Sequence, residues 1–200
     1  MKPARHVYLF VRAPMVGAVK RRLAADIGDM AAWRFQRDTT REVLRRIARD
    51  PRWRTSLSVT PDRFSAAGRF WPSRIMRVPQ GRGNLGRRMA AALKRFPTQP
   101  AVIVGSDIPD LSADHIAAAF EALRNHDLVF GPAADGGYWL VGARGPGGLG
   151  RLFENVRWSG PHTLDDTLAG LKPSRRIAFL DELEDVDDGA ALARWRRRSR

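Results

Sequence analysis

The sequence contains no cysteine. Disulfides and thiolate metal sites are therefore excluded, and a cytoplasmic location is the expectation. Long apolar runs are missing as well. None approaches the roughly 18 residues of a membrane span. The early run Val7–Val11 is closed by Arg12 and Pro14 and is too short for a signal segment. Acidic residues are scarce beside basic ones: 21 Asp and Glu stand against 35 Lys and Arg, for a net charge of +14. Lysine itself is rare, at Lys2, Lys20, Lys94 and Lys172 only. Such a charge admits a nucleic-acid or membrane-surface binder. However, the basic residues are scattered outside Arg194–Arg200, and no nucleic-acid motif or interleaved basic–aromatic strand accompanies them. Arginine on solvated faces is the simpler reading, with attraction of phosphorylated ligands as its by-product. At 200 residues, 44% hydrophobic and 28% charged, the chain suits one sizeable core. We expect a single domain over 1–200, with 194–200 a disordered basic tail.

What is present is concentrated between Ala101 and Gly142. Ala101–Val104 is a short apolar run ending at Gly105 and predicts a buried strand. Ser106, Asp107, Ile108, Pro109 and Asp110 follow, and Pro109 ends the strand. Ser112 predicts a helix N-cap ahead of Ile116, Ala119, Phe120 and Leu123 at helical spacing. Leu128–Phe130 and Tyr138–Val141 predict two more strands, joined through the turn residues Asp135, Gly136 and Gly137. Ligands in open α/β sheets bind beyond the carboxyl ends of strands, where Asp107 and Asp135 fall. A carboxylate there can hold a divalent ion, since Mg²⁺ takes one or two carboxylates plus substrate phosphates. It can equally cap the helix that follows.

Elsewhere, strands are expected at His6–Val11, Thr55–Val59, Ile75–Val78 and Arg175–Leu180. Helices are expected at Ala31–Ile47, Asp62–Phe70 and Ala190–Trp195. Trp53 and Trp71 are expected to pack in the core or at its rim. His162 is expected on the surface or at a cap rather than as a general base. The first strand leads into Arg12-Ala13-Pro14-Met15-Val16-Gly17-Ala18-Val19-Lys20-Arg21-Arg22. A strand, a Pro/Gly loop and a basic helix start can form a phosphate site, with Lys20 and Arg22 adding charge. A basic, solvated helix start reads the same way, and neither a Walker A loop nor a Rossmann fingerprint is present.

GSDIPDL at Gly105–Leu111, with GPAADGGYWLVG at Gly131–Gly142, resembles an uncharacterised family of the glycosyltransferase-A superfamily. Its members are commonly described as glycosyltransferases or nucleotide-diphospho-sugar transferases. Its relatives are the molybdenum-cofactor and phospholactate nucleotidyltransferases. The resemblance spans about Leu9 to Leu192. It implies an α/β fold: a three-layer α/β/α sandwich around a mostly parallel sheet of nucleotide-diphospho-sugar transferase type.

Residue by residue, the resemblance implies nucleotide binding by Ala13, Pro14, Gly17, Lys20 and Arg22. Arg12 and Arg21 depart from the family's usual Lys and Thr. A second element, Gln80 to Met89, implies nucleotide contacts from Gly83, Leu85, Gly86 and Arg88. There Asn84 and Arg87 replace the family's acids, which excludes acid–base work at those positions. Asp135, Gly136 and Gly137, with Trp158, Ser159 and Thr163, would shape the substrate pocket. The terminal Asp-x-Asp makes Asp187 the metal partner of Asp107, with Asp188-Gly189 replacing the family's Thr-Pro. Asp107 and Lys20 would be the catalytic residues and Mg²⁺ or Mn²⁺ the cofactor. The implied activity is metal-dependent transfer from an activated nucleotide, in its leading form glycosyl transfer from a nucleotide-diphospho-sugar to a small-molecule acceptor. The alternative is nucleotidyl transfer to a phosphorylated small molecule, and a third option is a non-catalytic nucleotide or nucleic-acid binder. A homodimer is compatible with any of these.

Overall fold

The computed structural model describes residues 5–66, 71–149 and 151–199. Seven strands form one sheet in the order β3-β2-β1-β4-β6-β5-β7. They are β1 (His6–Arg12), β2 (Arg54–Thr60), β3 (Met76–Pro79), β4 (Ala101–Gly105), β5 (Leu128–Pro132), β6 (Tyr138–Ala143) and β7 (Ile177–Phe179). Only β6 runs antiparallel to its neighbours β4 and β5. The short turn at Asp135–Gly137 explains this, because a hairpin reverses direction while a parallel return needs a crossover.

The helices are α1 (Arg21–Ile27), α2 (Asp29–Ile47), α3 (Arg63–Ala66), α4 (Leu85–Leu93), α5 (Ala113–Ala122), α6 (Thr163–Ala169) and α7 (Gly189–Arg198). Side chains alternate across the central strands. Val7, Leu9 and Val11 of β1 pack with Val43, Leu44 and Ile47 of α2 and Ile116 and Phe120 of α5. Tyr8 points to the other face, where Met89 and Leu93 of α4 and Leu164 and Leu168 of α6 pack. This is the three-layer sandwich with a mostly parallel sheet that the sequence predicts. A third cluster, Leu23, Ala32, Val186 and Leu192, fastens α1, α2 and α7 together. Trp53 and Trp71 are buried.

Three expectations change. The terminal basic run is no disordered tail through Arg198: it forms the end of α7, held by Arg194 and Arg198 on Glu184 and by Trp195 on Asp110. The helix predicted over Asp62–Phe70 starts one residue later, at Arg63, and is described as far as Ala66; 67–70 lie outside the described residues. The last strand shortens to Ile177–Phe179, since β7 pairs only with three residues of β5. No helix among the described residues is long and apolar enough to cross a membrane.

Candidate active site

The carboxyl ends of β1 and β4 lie side by side, in parallel register from His6↔Ala101 to Phe10↔Gly105. Beyond them the chain turns into the loops carrying Lys20 and Asp107. Gly105 allows the Asp107 side chain to fold back over the strand end. A Cβ at residue 105 would lie 2.8 Å from Asp107 Oδ1. Asp110, the second acid of that loop, takes a different role and accepts from Trp195 Nε1 at 3.1 Å.

The segment before α7 completes the site. Leu183 donates its N–H to Pro132 O (3.2 Å), and Val186 donates to Asp107 O (3.2 Å). Gly189 donates to Asp26 Oδ2 (2.7 Å), and Asp188 caps α7 by accepting from Ala191 N (2.7 Å). These bonds hold the segment extended, so side chains at i and i+2 share a side. Val186 is fully buried, and its neighbours Asp185 and Asp187 both turn to the site. One carboxylate oxygen from each of Asp107, Asp185 and Asp187 lies within 4.8 Å of the other two.

Lys20 meets this cluster. Its ammonium donates to Asp107 Oδ2 at 2.9 Å and to Asp187 Oδ1 at 2.5 Å, with the lysine side chain 5% exposed. Burial works against the Lys20 charge, but Asp107 and Asp187 outweigh it and hold its pKa above the ordinary lysine value. Among the described residues Asp185 has no such partner. Burial first, then the charges of Asp107 and Asp187, push its carboxyl up to about 7. Lys20 also lines the basic compartment described next.

Two compartments flank the acids. The larger, about 480 Å³, is lined by Arg12, Val19, Lys20, Arg21, Arg22, Gln36, Ser106, Asp107 and Asp187 among others. Some arginines elsewhere are paired, as Arg157 is with Asp166 and Arg198 with Glu184. Arg12, Arg21 and Arg22 make no ion pair or side-chain hydrogen bond among the described residues. Arg21, whose role the departure from the family pattern left open, lines this compartment beside Arg22.

The second compartment, about 230 Å³, is lined by Phe10, Leu85, Met89, Tyr138, Trp139 and Trp158, with Asp107, Asp135, Asp185, Ser159 and Thr163 as its polar members. Among the described residues, no lysine or arginine lines it. Asp135, Gly137, Trp158, Ser159 and Thr163 line this one compartment, and so does Leu85, which the resemblance placed among the nucleotide contacts.

Several predicted residues do other work. Ala13 is buried and donates its N–H to Thr60 O, while Pro14 O accepts from Trp33 Nε1 at 2.7 Å. Gly17 has φ +74° in the turn before Lys20, and Gly83 has φ +98° in the loop before α4. Gly86 lies under the second compartment's wall, where a Cβ would come 2.7 Å from both Phe153 and Trp158. Arg88 donates to Gln80 Oε1 at 2.7 Å, and burial, then Arg12, lower its pKa. It braces the loop that Gln80 anchors to Ser58 O and Val11 O. Asn84, in place of an acid, caps α4 by accepting from Arg87 N. Gly136 has φ +84° and packs on the Pro161 backbone, leaving no room for a side chain. Thr163 Oγ1 is committed to the Arg157 and Gly160 carbonyls.

The family model of an uncharacterized protein conserved in bacteria (DUF2064) matches residues 43–160. No curated protein matches the sequence. Among solved structures, the chain is similar to a candidate nucleotide-diphospho-sugar transferase from Desulfovibrio desulfuricans G20. The two are 26% identical with a TM-score of 0.84, over 99% of this chain and 88% of that one. The fold is shared with a 4-diphosphocytidyl-2C-methyl-D-erythritol synthase from Anaerococcus prevotii (9% identity, TM-score 0.56, 96% of each chain). It is shared too with a CMP:2-keto-3-deoxy-manno-octonic acid synthetase complexed with CTP (10% identity, TM-score 0.57, 98% of each chain).

Proposed function

We propose that this chain, which belongs to the family described as an uncharacterized protein conserved in bacteria (DUF2064), is a metal-dependent transferase acting on an activated nucleotide. In the leading form a nucleotide-diphospho-sugar gives up its sugar to a small-molecule acceptor. One observation carries the reading: Asp107, Asp185 and Asp187 converge at the strand ends, between a basic and an apolar compartment, with the Lys20 ammonium on Asp107 and Asp187. The similarity to the Desulfovibrio protein, a candidate for this activity, supports it.

The donor set fits a hard divalent cation, because it is all oxygen and a cation, the Lys20 ammonium, already rests on two of its members. Asp107, Asp185 and Asp187 would hold Mg²⁺ or Mn²⁺. Bound there, the ion would supply neutralisation of charge on the departing diphosphate. Arg12, Arg21 and Arg22 offer unpaired donors to the phosphates. Trp158 and Tyr138 offer aromatic faces to the sugar or acceptor, and Asp135 at the rim offers hydroxyl-accepting oxygens. No covalent nucleophile is required, since positioning and electrostatics supply most of the rate in transfers of this kind.

Nucleotidyl transfer from a triphosphate is the second reading, favoured by the number of cations in the basic compartment. The lack of any cation in the lining of the apolar compartment favours the glycosyl form, because a phosphorylated acceptor would meet carboxylates there. A thermal-shift screen of nucleoside triphosphates and nucleotide sugars, each with and without Mg²⁺ or Mn²⁺, separates them. Ligand at 100-fold its Kd adds about 2.7 kcal/mol of stability. A metal-dependent shift with nucleotide sugars alone is expected, and silence from every nucleotide with either metal would sink the proposal.

A further inference from the structure

Lys20 stands where a metal ligated by the triad would need room. Its ammonium touches Asp107 Oδ2 and Asp187 Oδ1 at 2.9 and 2.5 Å. It reaches them from a left-handed backbone conformation, φ 48° and ψ 51°, which residues bearing a Cβ seldom adopt. Asp107 borders both compartments, Asp187 the basic one and Asp185 the apolar one. Lys20 itself lines the basic compartment beside Arg12, Arg21 and Arg22. The ammonium is thus within its own side-chain reach of two alternative partners, the acids and any anion seated among those arginines.

A hard divalent ion binds carboxylate oxygens at about 2.0–2.6 Å. An ammonium already hydrogen-bonded to the same two oxygens competes for their lone pairs and repels the incoming charge in a partly buried place. We infer that Lys20 is a resident placeholder for the metal: it neutralises Asp107 and Asp187 in the metal-free protein, and a divalent ion entering the triad displaces it into the basic compartment, where it meets the nucleotide phosphates. This rests on the triad being the metal site of the proposed function. Metal and phosphate then bind cooperatively, because each gives the displaced group what the other takes away. The flexible four-carbon stem of lysine suits this movement, which the planar fork of arginine does not.

The test uses the full chain without nucleotide. Mn²⁺ binding is measured by electron paramagnetic resonance for wild type, Lys20→Met and Asp107→Asn. Lys20→Met should bind Mn²⁺ about tenfold tighter or more, as expected from removing a cation from a partly buried site, while Asp107→Asn should lose binding. In parallel, wild type is reductively methylated in EDTA and in saturating Mg²⁺, and each lysine is read by mass spectrometry, with Lys94 and Lys172 as internal references. Lys20 should be masked in EDTA and become reactive in Mg²⁺. An amine that stays masked in Mg²⁺-saturated wild type overturns the displacement, whatever the affinity of the variant, and leaves the metal reading intact. If neither wild type nor Lys20→Met binds Mn²⁺, the inference and the metal-dependent function fall together.

Discussion

The two compartments beside Asp107 are built from different kinds of backbone, and their chemistry follows from that. The basic one lies past the ends of parallel strands β1 and β4, where the chain opens into a loop and the start of α1. Its arginines, Arg12, Arg21 and Arg22, are exposed and have no ion pair among the described residues. The apolar one is bounded by the antiparallel strand β6, the first turn of α4 and the 153–163 loop. Its walls, Leu85, Tyr138 and Trp158, are the outer members of a core cluster. One side is therefore walled by core side chains and the other by charged, exposed ones. A cleft of this kind separates recognition by shape from recognition by charge, with the acids at the seam.

The seam is where a substitution should do most. Asp107→Asn should abolish the metal-dependent part of nucleotide binding, because a neutral amide replaces a hard anionic oxygen poorly. The metal-free protein should lose some stability as well, because the amide leaves the buried Lys20 ammonium with Asp187 as its one remaining carboxylate partner among the described residues. Melting curves of both proteins with nucleotide, with and without Mn²⁺, check this. Full retention of the metal-dependent shift would remove Asp107 from the metal site.

On the basic side, Arg22→Ala should weaken nucleotide binding by roughly 1.5–3 kcal/mol, the size of one charge-assisted hydrogen bond, and leave Mn²⁺ binding alone unchanged. Isothermal titration with nucleotide and with Mn²⁺ separately distinguishes the two, and equal losses in both would blur the division drawn here. On the apolar side, Gly86→Ala should cost about 1–3 kcal/mol of stability through overpacking against Phe153 and Trp158. It should disturb sugar or acceptor binding while phosphate binding persists. Denaturant titration, then competition by inorganic pyrophosphate, would read each part.

Asp185→Asn should stabilise the metal-free protein at neutral pH by an amount of order 1 kcal/mol, by relieving repulsion from Asp107 and Asp187. The sign follows from the raised carboxyl. The folded chain holds the proton up to about 7, whereas the ordinary value is 3.8. Charging Asp185 therefore destabilises the fold, and its contribution makes wild-type stability in chelator fall as pH rises between those values. Melting temperatures in EDTA across that range should show the variant without the fall. Smallest is Arg198→Ala, which removes exposed ion pairs to Glu184 and Asp110. It should cost under about 1 kcal/mol, a change visible only in careful denaturant titrations.

The sheet and both faces of helices were readable because apolar runs and glycine or proline stops mark the ends of most strands, such as Gly105 at the end of β4 and Pro132 at the end of β5. Asp107 and Lys20 were readable because they sit just past two such ends, in a stretch with a family resemblance. Asp185 was not singled out. An acidic run before a helix looks like capping, and one of its members, Asp188, does cap α7. What separates Asp185 and Asp187 from Asp188 is the buried Val186 between them, whose bond to Asp107 O turns both outward, and only the fold supplies that bond. The same holds for Arg88 and Gly86. Their motif suggested nucleotide contacts, but the partners that occupy them, Gln80, Phe153 and Trp158, lie on separate elements. The paired state of Lys20 was equally hidden, since it needs an acid that follows it by most of the chain.

The hydrogen bond from Val186 to Asp107 has a consequence for how the molecule is made. A ribosome delivers Lys20 first, Asp107 much later, and the strip bearing Asp185 and Asp187 later still. The triad therefore exists only where two stretches distant in sequence meet, Asp107 from the loop after β4 and Asp185 with Asp187 from the strip that Val186 ties to it. A chain cut before residue 185 would carry one of the three acids.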